Sequence, residues 1–490
     1  MIAEGESMRW RRSVELETSC VRPRSSRAKS YAGIGSLVAV LVAWCAAWTA
    51  LAFGVVPGAG ASTSAAEAPV AVIEATTLPP LLTVDADHVD VLRYDIACVT
   101  DNSDTGSGCV IDGTVFVRPG QTGGYRPVPL QFEHLAEQGR YGATLPADIR
   151  DSPTGFSYYA VIRDQLSGAT VTLPAGGARA PQRSIRLPRP FEVDLGTHRF
   201  GDVSPADARV AQAAWGNGPA EPGIEEGPEL QPIGASSFDV DTAGAVTVLD
   251  EAHRRLLRFT GRGADNATPV PLDIRGTIAS VVARPDGGTY VLESVADQGQ
   301  APLLRSFDSA GHPVGSWHAA QPGVGSLRLS PTGPQSLEYP AGQWMSISPT
   351  DGIDAAESQL ASGRPGRRVA GGREIVVQRE GAEARIAVTA PSGVLRSWQI
   401  TSATPLAEIQ LAELRGNDVV VVLRTYTESQ SEFVVLVLGD RGAVRQFAID
   451  AAAWAETAPL ARFRLVGSSL YCLGSTPSGM FVDRYDLEVH

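Results

Sequence analysis

Hydrophobic and polar positions fall into three regimes along this chain. Between Ser30 and Ala66 there is no charged residue, and 33–56 is a nearly unbroken apolar run of 24 residues. A run of that length can cross a hydrocarbon core as a helix. From residue 83 apolar and polar positions alternate in short runs, 89–96, 114–118, 126–132, 141–145, 157–163 and 169–173, separated by turn residues. Period-two alternation punctuated in this way predicts an antiparallel sandwich. Strand-like runs continue after residue 190, and there they repeat.

The segment 237–250 aligns without gaps on 280–293, an offset of 43 residues. Each copy reads strand, glycine-containing turn (Gly244, Gly287), strand, acidic residue (Asp250, Glu293). A weaker third copy runs from Ser326 to Gly333. A second landmark, a glycine closing a polar turn, falls at Gly263, Gly311, Gly352, Gly393 and Gly442, with gaps of 48, 41, 41 and 49 residues. Runs ending in Trp317, Trp398 and Phe447 follow three of them. A repeat near 45 residues with four strands each is the propeller pattern. A sixth unit, 462–466, 469–473 and 479–487, ends one strand short. An open outer edge is a liability, and 191–195 is available to fill it.

The predicted fold class is therefore all-β: an N-terminal transmembrane or signal helix, a β-sandwich, then a six-bladed β-propeller closed by an N-terminal strand. The domains expected are a basic cytoplasmic leader (1–30), a signal peptide or transmembrane anchor (31–61), a linker (62–82), the sandwich (83–176), a second linker (177–190) and the propeller (191–490).

Two stretches resemble known families. Residues 238–250 continuing into 251–259 resemble an NHL repeat, with Asp250 at the family's acidic position and Arg254 or Arg255 at its basic turn position. The match is partial in the second unit, where Glu293 replaces Asp and an insertion follows. The resemblance implies that these positions tie the turn together by a charge-assisted hydrogen bond. Several such six-bladed propellers are enzymes, including lyases and lactonases with a metal in the central channel. Tyr158 and Tyr159, followed by 162–164 and Ser167-Gly168, are similar to the late hairpin of fibronectin type III-like domains. That likeness implies an Ig/fibronectin-like spacer or docking module over 83–176.

Composition agrees with a strand-and-turn protein: 51 Gly and 34 Pro, with 43% hydrophobic and 19% charged residues. The net charge is −13, but 1–30 carry seven Arg/Lys against four Glu, which leaves −16 on the rest. So acidic a surface repels phosphate backbones and excludes nucleic acid as the expected partner. The basic flank predicts a cytoplasmic N-terminus, and the small residues of 57–62 are those a signal peptidase reads. Cleaved signal and uncleaved anchor both stand; the membrane is a partner through 33–56 in the second case. Either way 62–490 end outside the cytoplasm, secreted or anchored. Arg11-Arg12 is a poor twin-arginine match, and Cys45 has no lipobox around it. Outside the run, Cys98 and Cys109 enclose ten polar-rich residues. A disulfide across that hairpin is expected, contributing about 2–3 kcal/mol. Cys472 reads as a small buried hydrophobe.

Chemical motifs are sparse. There is no His-Glu-x-x-His, Gly-x-Ser-x-Gly, P-loop or dinucleotide fingerprint, and His88, His134, His198, His253, His312, His318 and His490 are scattered. Asp239-x-Asp241 reads as a turn cap rather than a calcium site. Asn266-x-Thr268 is a glycosylation sequon for a host that modifies such sites. The stretch 214–229 is the most unusual, with Trp215, Asn217, Glu221 and Glu225 among several glycines. It is either a ligand-contacting loop with Trp215 as a stacking surface or a linker that lets the N-terminal strand close the ring. The function expected is that of an exported, non-catalytic binding or scaffold protein without a cofactor, for an extracellular protein or small ligand. The alternative is a lyase- or lactonase-type propeller enzyme with a divalent metal in the central channel; envelope assembly is a third class. The enzyme reading needs acidic and Asn or His side chains converging from several units.

Overall fold

A computed structural model describes residues 71–488, apart from internal stretches of which the longest are 101–109, 295–302 and 347–363. The chain divides into units Met1–Glu67 and Ala68–His490, and every described residue lies in the second. The apolar run 33–56 is outside the described residues, as are Cys109 and the side chain of Cys98, so the predicted anchor and disulfide lie there too. Among the described residues no helix is long and apolar enough to cross a membrane. Apart from one helical turn, Ala147–Arg150, and a 3-10 turn, Ala370–Gly372, their regular structure is strand.

Residues 71–187 form two sheets around one core, so the expected bounds 83–176 are corrected: Ala71–Thr77 and Leu81–Thr83 of the expected linker 62–82, and Gln182–Arg186 of 177–190, are strands of these sheets. One sheet has the order Ala71–Thr77, Val91–Thr100, Gly139–Thr144, Gln131–Leu135. The other has Leu81–Thr83, Gln182–Arg186, Phe156–Asp164, Ile111–Pro119 and Arg126–Pro129, with Thr170–Leu173 also on Phe156–Asp164. Alternation puts every second side chain inside: Val115 and Val117 from one sheet meet Leu92, Tyr94 and Ile96 from the other. Tyr158 enters that core, while Tyr159 stacks on Phe116 at 4.8 Å between ring centroids.

Six further sheets follow among the described residues, at 235–271, 277–318, 324–365, 367–401, 406–450 and 463–486. Each runs up and down in chain order. Ala235–Val240 lies beside Thr277–Ala283, and that strand beside Val324–Ser330. Likewise Arg373–Glu380 lies beside Leu406–Arg415, and that strand beside Phe463–Val466, which returns to Ala235–Val240. A succession of four-stranded meanders that comes back to its start is a β-propeller. Stacking sheets face to face covers a middle strand on both sides. Val246–Asp250 is accordingly buried at all five positions and Ser431–Gly439 at eight of nine, which is why these runs show no alternation in sequence.

The repeat noted in the sequence has a physical cause. Gly244 and Gly287, 43 residues apart, both take the left-handed conformation (φ 85° and 82°) that their tight turns require. A register shift precedes Ser237, Ser280 and Ser326 in the first strands of three successive sheets. Val281 N then donates to Ser237 Oγ at 3.2 Å, and Leu327 N to Ser280 Oγ at 3.2 Å, joining one sheet to the next. Arginines stitch one sheet to the turns of the next: Arg258 donates to Ser309 O (2.7 Å) and Gly287 O (2.9 Å) of the following sheet. Arg396 in the fourth sheet pairs with Asp440 of the fifth.

One expectation is corrected. Residues 191–195 do not close the last sheet. Phe191–Asp194 instead pairs in parallel with Gly393–Thr401 of the fourth sheet, covering Trp398. That sheet has three long strands of its own and runs from Thr401 straight to Leu406, leaving no chain for an outer strand. The last sheet is completed by Ala208–Ala214, antiparallel to Gly479–Asp486. Arg209 fixes this register, its Nε and Nη2 donating to Asp483 Oδ1 and Oδ2 at 2.8 and 3.0 Å. Two N-terminal strands are therefore lent, to two different sheets.

Candidate functional site

The acidic residue that ends the second strand of the first sheet is a hub. Asp250 is completely buried. Its Oδ2 faces Arg255 Nε at 2.7 Å and His253 Nδ1 at 2.8 Å, and its Oδ1 accepts from Gly223 N at 3.0 Å. Arg255, not Arg254, is the basic partner; Arg254 has φ 54° and reaches Ile274 O at 3.4 Å. Arg255 Nη2 also donates to Gly218 O (2.9 Å) and Glu221 O, so one guanidinium clamps the 216–223 loop. In the second sheet Glu293 and Arg305 lie 3.5 Å apart at the corresponding place.

This geometry places the sequence-predicted residues. Trp215 is half-buried; its Nε1 donates to Thr476 O at 2.8 Å and its ring lies 5.8 Å from that of Trp454, at a tilt of 37°. Asn217 is exposed, with its Oδ1 3.2 Å from His253 Nε2. Glu221 folds back so that Gly218 N donates to its Oε2 at 2.9 Å. Glu225 is held by its backbone, bridged to Ile233, with its side chain in solvent. Glu221 thus lies against Gly216 and Gly218 on either side of Asn217, whereas Trp215 turns toward Trp454 and the Glu225 side chain stands apart in solvent. Asp241 caps its turn, accepting from Ala243 N and Ala245 N, both at 2.9 Å.

A second constellation escaped the sequence reading. First strands or their immediate neighbours from five sheets bring together Asp239, Arg328, Arg367, Glu413 and Arg464. Arg464 Nε lies 3.3 Å from Asp239 Oδ1; Arg328 Nε and Arg367 Nη1 lie 3.4 and 2.6 Å from Glu413 Oε1. Asp239 Oδ2 also accepts from Ala283 N at 2.7 Å. The two deepest guanidiniums lean on backbone carbonyls: Arg328 on Leu327 O (2.8 Å) and Leu460 O (2.6 Å), Arg464 on Phe463 O (2.9 Å). Burial pushes the Arg328 guanidinium down to about 9, with the positive charge of Arg464 acting in the same direction. Burial lowers Arg464 as well, and raises the Asp239 carboxyl against the pull of Arg464. A guanidinium keeps its proton in proteins, so three cations face the two carboxylates they pair with. Among the described residues no group of three or more His, Cys, Asp or Glu is placed to hold a metal ion. One signal was available: Ser237-x-Asp239 and Ser326-x-Arg328 occupy the same step of the repeat.

No family model and no curated protein matches the chain. Solved structures similar to it include virginiamycin B lyase from Staphylococcus aureus, at 10% identity and TM-score 0.30 over 51% of this chain and 95% of that one. Aldose sugar dehydrogenase from Streptomyces coelicolor, in its PQQ-bound form, is similar at 10% identity and TM-score 0.33 over 57% and 97%. A protein from Bacteroides fragilis is similar at 6% identity and TM-score 0.35 over 61% and 100%. Likenesses at such scores carry no argument about the chemistry of this chain.

Proposed function

We propose that this chain is an exported, non-catalytic binding or scaffold protein. In this reading the six sheets are the blades of one propeller with an NHL-like first blade, and the two-sheet region 71–187 is an Ig/fibronectin-like stalk. The stalk is joined to the membrane by 33–56 or released by cleavage, and Cys98 is bridged to Cys109. The partner is an extracellular protein or small ligand.

The observation that carries the binding reading over the metal-enzyme one is the charge at the meeting of the first strands. A divalent cation placed there would face the guanidiniums of Arg328, Arg367 and Arg464, and the two carboxylates present are already paired to them. Repulsion between like charges in a poorly solvated site is severe. Elemental analysis of the purified full chain after gel filtration tests this, with the expected metal content far below one equivalent. One retained equivalent, lost on Glu413→Gln, would return the protein to the metal-enzyme class. Cell fractionation and non-reducing mass spectrometry test export and the disulfide; a cytoplasmic chain with both thiols alkylated would remove those two parts.

A further inference from the structure

The five-residue cluster has an unmet requirement. Three guanidiniums, contributed by Val324–Ser330, Arg367–Val369 and Phe463–Val466, surround the carboxylates of Asp239 and Glu413. An excess positive charge away from water is costly unless something compensates it. The terminal nitrogens of Arg328 and Arg464 donate to carbonyls, and Arg328 Nη1 also to Ser326 Oγ at 3.1 Å; the two form a floor, their side chains 7% and 4% exposed. Asp239, Glu413 and Arg367, at 15%, 12% and 14%, form the more open side. Arg367 makes one ion pair, to Glu413, and its buried Nε–H has no acceptor among the described residues. The Nε–H of Arg464, also buried, has only the long 3.3 Å approach of Asp239 and no hydrogen bond.

We propose that this cluster is a binding site for a small oxyanion, a phosphate, sulfate or carboxylate group, held chiefly by Arg367 over the floor of Arg328 and Arg464. A guanidinium presents paired N–H groups in a plane that matches two oxygens of such a group. The bound oxygens would take up the unused Nε–H and balance the surplus charge. Glu413 would then act against the ligand, as a resident carboxylate competing for the same guanidiniums. The site deepens the binding-protein reading above and rests on it; its failure would leave that reading standing, because metal content is measured separately.

The test is titration of the full chain with inorganic phosphate, sulfate and malonate, each against chloride at matched ionic strength, by calorimetry and thermal unfolding. At least one oxyanion is expected to bind saturably at one equivalent and to raise the unfolding temperature, with chloride inert. Arg367→Gln should weaken binding roughly tenfold or more, by loss of a charge-assisted hydrogen bond. Glu413→Gln should tighten it by about as much, because a competing charge is removed. Should Arg367→Gln fail to fold, Arg367→Lys keeps the charge, loses the fork, and should still weaken binding. Absence of saturable binding by all three anions overturns the proposal, and so does a Glu413→Gln chain that is folded and binds more weakly.

Discussion

Replacing Asp250 by Ala would release the 216–223 loop, by an amount that can be worked from its contacts. The carboxylate is fully buried and serves Arg255 Nε, His253 Nδ1 and Gly223 N. Removing one partner of a buried ion pair costs roughly 3–5 kcal/mol, and an orphaned N–H such as that of Gly223 adds about 1–3 kcal/mol. The low end applies, because Arg255 keeps Gly218 O and Glu221 O as acceptors and His253 is partly solvated. About 4 kcal/mol less resistance to local opening means amide exchange faster by roughly 1000-fold. Hydrogen exchange read by mass spectrometry on a peptide covering 216–225 measures this directly. Asp250→Asn keeps an acceptor for Gly223 and should cost less, roughly tenfold in exchange. Arg255→Ala should resemble Asp250→Ala, and the double substitution should cost clearly less than the sum. Exchange within about threefold of the parent in Asp250→Ala, or strict additivity in the cycle, would refute the clamp.

Three further outcomes follow from single contacts. Ser237→Ala and Ser280→Ala each remove the acceptor for an N–H of the neighbouring sheet and should each lower stability by about 1 kcal/mol, seen as a lower urea midpoint with unchanged slope. Trp398 is fully buried and its Nε1 donates to Gly439 O at 3.0 Å; Trp398→Ala should cost about 3–5 kcal/mol, and Trp398→Phe about 1–2 kcal/mol for the orphaned carbonyl, by the same assay. Asp164 opens a turn; burial opposes its charge, but donation from Ser167 Oγ, Ser167 N, Leu166 N and Val110 N outweighs it and holds the carboxyl below its ordinary value. A folded pKa below the unfolded one gives stability that is full above the unfolded value and is lost as pH falls through the folded one; Asp164→Asn should flatten that part of an acid titration followed by circular dichroism.

What could be read from sequence was whatever the repeat imposes locally. The turn glycines Gly244 and Gly287 recur because both turns need the same backbone, and Asp250 with Arg255 is matched by Glu293 with Arg305 because the first two sheets close the same corner. Ser237 and Ser280 aligned for a reason the sequence did not disclose: both catch an N–H from the next sheet. The identity of the lent strands was not legible. Which sheet lacks an outer strand depends on the four residues between Thr401 and Leu406, and Phe191–Asp194 is too short to declare its partner. The charged cluster was hidden for a related reason. Asp239 and Arg464 are separated by 225 positions, and in one dimension each looks like an ordinary polar residue on a strand.

Placing both lent strands within 191–214 makes that stretch the fastener of the ring, and the fourth sheet its anchor. Phe191–Asp194 lies on the outer edge of that sheet. Toward the N-terminus, Leu82 packs completely buried against Val376 and Ala387 of the same sheet. The backbone of Leu82 is held there too, its N–H donating to Gln378 and its carbonyl accepting from Arg385 Nη1. The two-sheet region therefore does not hang from the ring on a free linker at this joint. Force or movement arriving from the N-terminal side would load the fourth sheet first. The last sheet would feel it by two routes, through the short chain between the two lent strands and through Leu406–Arg415, which lies between Arg373–Glu380 and Phe463–Val466.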